Sequence, residues 1–151
     1  MRFEFGMPSP ILVSLTSEPI ETDKLIEFVT TPLAGAVVLF LGTVRQITNG
    51  QVTEGLEYEA YSSMALAKME ELAMEVRERW PVEKVAIEHR TGYLRVSEVS
   101  VAAAVSCPHR KDAFEAGEFL IDELKRRVPI WKREHWEDGT TEWVHPGLPQ
   151  S

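Results

Sequence analysis

The sequence predicts one domain in which helices and strands are mixed, and three observations carry that reading. Apolar residues recur at helical spacing over 22–28, 62–80 and 108–128. Between these segments stand short alternating or β-branched runs, and two junctions hold the hairpin dipeptides Asn49-Gly50 and Asp138-Gly139. The 151 residues contain no internal repeat, low-complexity block or clear linker, which suits a single core.

In chain order, residues 1–10 are expected to form a flexible extension, because Pro8 and Pro10 oppose regular structure, and 11–144 the domain proper. Ile11–Leu15 reads as a short strand. Thr22 is placed as the cap of a helix through Phe28 that buries Leu25, Ile26 and Val29, and Thr31-Pro32 ends it. The unbroken apolar run Gly35–Gly42 is expected as a strand covered on both faces. It ends at Gly42-Thr43-Val44-Arg45. A glycine there lets backbone approach a ligand and an arginine offers a fork of donors, although a hairpin turn with a surface arginine accounts for the tetrapeptide equally. Asn49-Gly50 then reverses the chain into a half-buried strand at Glu54–Tyr61, with Leu56, Tyr58 and Ala60 inward. Glu57 and Glu59 share its other face, which reads as solvated rather than as a carboxylate pair.

Ser62 or Ser63 is placed as the cap of the next helix, which buries Ala65, Met69, Leu72, Ala73, Val76 and Trp80 and stops at Pro81. Lys84–Arg90 and Glu98–Ser106 follow as strands, with Gly92 in their connection. The second delivers the chain to Cys107-Pro108-His109-Arg110. After the third helix, Ile130–Trp136 and Thr140–Val144 form a hairpin about Asp138-Gly139, and 145–151 a loose tail.

Composition excludes several classes of function. A net charge of −8 and a pI near 5.0 argue against a general nucleic-acid binder, which needs a basic surface. One cysteine cannot form an internal disulfide and fits a reducing compartment. No apolar run approaches a membrane span, and MRFEFGMPSP lacks the apolar stretch of a signal peptide. A cytoplasmic location is expected. His89, His109, His135 and His145 lack zinc-site spacings, and no P-loop, dinucleotide fingerprint or nucleophile elbow is present. Metal and nucleotide readings are unsupported.

In so acidic a chain, the cations around Ser106–Lys132 ask for an anionic partner. Pro108 suits a helix start, and Pro129 pushes Val128 out of helical angles, so the helix should end there and a strand follow. His109 and Arg110 then occupy a helix N-terminus, where cations are unfavourable unless an anion joins the free N–H groups. Lys125 falls in the last turn, where the macrodipole alone also explains it. Asp122–Arg126 and Glu123–Arg127 are ordinary i,i+4 surface pairs.

Five segments in order, GTVR (42–45), LEYEAY (56–61), HRTGYLRVSE (89–98), SVAAAVSCPHR (100–110) and IDELKRRVPIWKRE (121–134), resemble the large, catalytic subunit of molybdopterin synthase. The resemblance runs from about Ile11 to Val144. Ser97 stands where that family usually has glycine, and Cys107 where a small residue is common. The resemblance implies an α+β fold of α/β hammerhead type with a small α+β subdomain. It implies a homodimer carrying one small ubiquitin-like subunit at each end. The small subunit's C-terminal Gly-Gly thiocarboxylate would enter the active site and give two sulfurs to cyclic pyranopterin monophosphate, forming the dithiolene of molybdopterin. Substrate contacts would fall on Thr43, Val44, Arg45, His109, Arg110, Lys125, Lys132, Arg133 and Glu134, with Lys125 and Lys132 catalytic, and no metal or organic cofactor is implied.

The residues suit that chemistry. Arg45, His109 and Arg110 can hold phosphate by charge-assisted bonds. A lysine among other cations loses basicity and can exchange a proton near neutral pH or stabilise an oxyanion. Two other readings stand beside this one: a non-catalytic module that uses the same cations to bind a phosphate ligand or partner tail, and a persulfide sulfurtransferase using Cys107. Against the second stands a small buried cysteine at a strand end.

Overall fold

In a computed structural model, which describes residues 8–144, the chain folds around two sheets. In order the elements are β1 (Ile11–Thr16), α1 (Thr22–Val29), β2 (Ala36–Thr43), β3 (Ile47–Thr48), β4 (Gln51–Ala60) and α2 (Ser62–Arg79). There follow β5 (Lys84–Arg90), β6 (Gly92–Arg95), β7 (Val99–Cys107), α3 (Arg110–Arg127), β8 (Ile130–Trp136) and β9 (Thr141–Val144).

The first sheet has the order β1-β5-β7-β2, with β1 and β5 parallel and its other pairs antiparallel. α2 and α3 cover one face, where Met69, Leu72, Val76, Leu120 and Leu124 join Val85, Ile87, Val101 and Val105 in one core. α1 lies on the other face, setting Leu25 and Val29 against Ala86, Ala102 and Ala104. The second sheet is antiparallel, order β3-β4-β8-β9, with β6 also on β4. Its inner cluster is Val44, Leu56 and Leu94, against which Tyr58 and Val96 pack. β2 belongs to the first sheet and β3 to the second, so Val44 and Arg45 lie where the chain passes between them. The α+β class expected from the sequence is the class observed.

Several local expectations are corrected. β2 is the edge of its sheet and is not covered on both faces: Val37 and Leu41 remain about 40% exposed. An unbroken apolar run records how apolar a strand is, not how many neighbours it has. Thr22 and Ser62 are first helical residues; Glu21 and Tyr61 hold the cap positions, with no side-chain cap bond at either. Ile26 faces outward. The connection expected around Gly92 contains the strand β6, whose Leu94 pairs with Leu56. Four residues with one inward side chain carry no readable period. On α3, Glu123 and not Asp122 receives Arg126, together with Arg127.

Pro10, placed in the extension, already accepts the Val85 N–H at 2.9 Å. Residues 1–7 of that extension, and the tail expected at 145–151, lie outside the described residues. Among the described residues no helix is long and apolar enough to cross a membrane.

Candidate active site

The site begins where β2 leaves its sheet. A Cβ at Gly42 would lie 2.7 Å from Val101 Cγ1, so packing against β7 rather than a ligand requires glycine there. The register shifts between Gly42 and Thr43, and the Ser100 hydroxyl donates to the Gly42 carbonyl at 3.2 Å. Thr43 is exposed and pairs with Val99. Val44 is buried among Leu56 and Leu94, so its side chain anchors the segment. Its N–H donates to the Glu98 carbonyl at 3.0 Å, and its carbonyl accepts the Ser97 N–H at 2.7 Å. On the far side of Arg45, the Gln46 carbonyl accepts the Thr53 N–H at 2.7 Å. Arg45 is thus exposed between two fixed points of main chain.

The opposite wall comes from the end of α3 and from β8. The helix stops at Arg127, and Val128 is extended at φ −89° and ψ 126° ahead of Pro129, as the X-Pro restriction requires. β8 then pairs with β4, setting Lys132 across from Tyr58 and Glu134 across from Leu56. Lys132 is half-buried. That burial holds its ammonium below the ordinary lysine value; the Glu134 carboxylate pulls the other way, and the charges of Lys125 and Arg45 lower it further. The charges of two cations from separate stretches of chain therefore reach Lys132. Glu134 is only 3% exposed, and its carboxylate accepts the Thr53 hydroxyl at 2.7 Å. Thr53 ties together the segment bearing Arg45, through its N–H, and the strand bearing Lys132, through its hydroxyl.

Other expected site residues stand apart. Strand alternation puts Arg133 on the opposite face from Lys132 and Glu134. There its guanidinium binds Glu57, with Nε at 3.1 Å and Nη2 at 2.5 Å, and lies over the Trp143 ring. Those bonds from Arg133, with one from His135, hold the Glu57 carboxyl below the usual range. Glu57 is accordingly neither paired with Glu59 nor simply solvated. His109 caps α3 and Arg110 is its first residue, both exposed. Fifteen residues of continuous helix separate Arg110 from Lys125, about 22 Å along the axis. Within one chain they do not share a site.

Cys107 is fully buried at the end of β7. Burial first, then the carboxylates of Asp112 and Glu83, push its thiol up to about 11. At neutral pH it is a packed thiol and not a nucleophile. Thr53, Ser100 and Glu98 have no spacing signature in the sequence; strand pairing and the main-chain bonds beside it bring them to the site.

Fold and site together define an α+β protein with a cluster of cations, backed by a buried carboxylate, of the sort that attracts an anionic substrate. The family model described as "MoaE protein" matches residues 15–127. A molybdopterin synthase catalytic subunit of Halalkalibacterium halodurans is 48% identical over 131 residues, covering 87% of this chain and 83% of that one. The structure of molybdopterin synthase from Staphylococcus aureus superposes with a TM-score of 0.82 at 46% identity, over 86% of this chain and 94% of that one. A Helicobacter pylori complex of subunits 1 and 2 of the molybdopterin-converting factor shares the fold, with a TM-score of 0.69 at 20% identity over 94% and 93% of the two chains. The chain belongs to the MoaE family, and with it to the catalytic subunits of molybdopterin synthase, sulfur-transferring enzymes of molybdenum cofactor biosynthesis.

Proposed function

We propose that this chain takes two sulfurs from the thiocarboxylated C-terminus of a small ubiquitin-like subunit and adds them to cyclic pyranopterin monophosphate in the cytoplasm. The observation that carries the reading is Lys132, set on the same face of β8 as the buried Glu134 and within electrostatic reach of Lys125 and Arg45. The substrate brings a phosphate, the partner a thiocarboxylate, and the reaction passes through charged tetrahedral species. All three need cations held in place before the reaction starts. Arg45 holds the phosphate through its fork of donors. Lys132, less basic than an ordinary lysine, gives a proton to the departing oxygen or stabilises the developing oxyanion, and Lys125 supplies the second charge. Glu134 sets that balance and is itself held by Thr53. Arg133 takes part only through its main chain, because its side chain is committed to Glu57.

His109 and Arg110 belong to the same chemistry through a second copy of the chain. The distance of about 22 Å from Lys125 fits a homodimer in which each protomer lends its α3 N-terminus to its mate's phosphate. With one small subunit at each end the assembly is a heterotetramer. Two sites related by a two-fold axis are the ordinary consequence of such an isologous contact.

Reconstitution tests the reading. The purified chain, thiocarboxylated small subunit and cyclic pyranopterin monophosphate are expected to yield the dithiolene product. Binding of both partners without product would make the chain a binding module.

A further inference from the structure

We propose that Glu98 is a positioning residue for Arg45, acting through the turn Arg95–Glu98; the proposal rests on the reading that Arg45 holds the substrate phosphate. Past the register shift at Gly42, the segment that launches Arg45 loses its regular pairing with β7. It is held instead by two main-chain bonds from Val44 to Ser97 and Glu98. Whatever fixes that turn therefore fixes the root of the Arg45 side chain.

The Glu98 carboxylate is what fixes the turn. One of its oxygens accepts the Arg95 N–H at 2.7 Å, and the Glu98 N–H returns to the Arg95 carbonyl at 3.1 Å, closing the turn from both ends. The other oxygen accepts Arg90 Nη1 at 3.3 Å. The Arg90 side chain is only 14% exposed and its Nε has no hydrogen-bond partner among the described residues, so Glu98 is the countercharge that lets this guanidinium sit at the end of β5. Ser97 adds strain to the same turn. Its φ of +78° lies in the left-handed region that favours glycine. A turn holding a strained serine depends more on its side-chain bonds than one holding glycine. Glu98 touches neither Lys132 nor Lys125 in any bond described, so its influence runs through Val44 to Arg45.

The test is a double-mutant cycle in the assembled enzyme, with thiocarboxylated small subunit and cyclic pyranopterin monophosphate. Glu98→Gln keeps the shape and one acceptor for the Arg95 N–H while removing the charge, and thermal melting verifies that it folds. It is expected to raise KM for the pterin about tenfold with kcat little changed, as displacement of a binding group predicts. In an Arg45→Ala background the same substitution is expected to add less than about twofold, because the group it positions is already gone. Full additivity of the two effects, or an unchanged KM in Glu98→Gln, overturns the proposal while leaving Arg45 in the site. An unchanged KM in Arg45→Ala alone overturns the assignment of Arg45 itself, and the role of Glu98 with it. Ser97→Gly combined with Glu98→Gln is expected to recover part of the lost affinity. No recovery, with both chains folded, counts against strain in the turn as the route.

Discussion

At the scale of single residues, neighbours decide what each titratable group does. Cys107 is expected to be dispensable: Cys107→Ala or Cys107→Ser should keep most sulfur-transfer activity, since sulfur arrives on the partner and the thiol is buried and protonated. Loss of turnover by a folded variant would restore the persulfide mechanism. His89 carries a different consequence. It is 5% exposed, its Nδ1 lies 2.8 Å from the Arg90 carbonyl, and its ring stands edge-on to Tyr58. Burial lowers its pKa to about 4. The unfolded chain therefore binds a proton below about pH 6.5 that the folded chain refuses, and stability present above that pH falls as pH drops toward 4. The cost is expected to reach roughly 3 kcal/mol, and urea melts of His89→Gln between pH 7 and 5 should show a flatter dependence than wild type. The sequence displayed the cations as residue types but not their company. Arg133 and Lys132 are adjacent in sequence and face opposite sides of β8, a separation that follows from strand period once the strand is known.

At the scale of elements, long periodic segments were legible and short ones were not. All three helices and the apolar residues that bury α2 and α3 could be read from spacing. So could both hairpins, and Asn49 and Gly50 take the positive φ values, 52° and 80°, that a tight hairpin turn needs. The helix caps, the edge position of β2 and the strand β6 were not legible, because each depends on which strand lies alongside. The junction of β2 with the site supplies a test at this scale. Gly42→Ala is expected to destabilise by about 1–3 kcal/mol, since the new methyl meets Val101 Cγ1. It should also weaken pterin binding by shifting Arg45. Urea unfolding and substrate titration read the two effects separately, and a variant of wild-type stability would show that β7 yields to the methyl group.

At the scale of the whole molecule, His109 and Arg110 stand at one end of α3 and Lys125 near the other, about 22 Å along the axis, and the proposed homodimer would bring them together. If the mate supplies His109 and Arg110, Arg110→Ala and Lys132→Ala are each nearly inactive as homodimers, yet mixing them restores one intact site per mixed dimer. Activity near about a quarter of wild type is expected after random exchange. No recovery, with exchange verified by mass, contradicts the lending of His109 and Arg110 by the mate. More narrowly, we propose that Lys125 from the end of α3 and Lys132 from β8, drawn toward each other by the break at Val128-Pro129, serve one reacting centre. This is tested most directly by the single-turnover rate of dithiolene formation in Lys125→Ala and Lys132→Ala, with thiocarboxylated small subunit bound. Each is expected to lose at least roughly a hundredfold in rate, the size of a lost acid–base or oxyanion group, while small-subunit affinity is retained. Wild-type rates in both variants would contradict the account and leave the cations a binding role only.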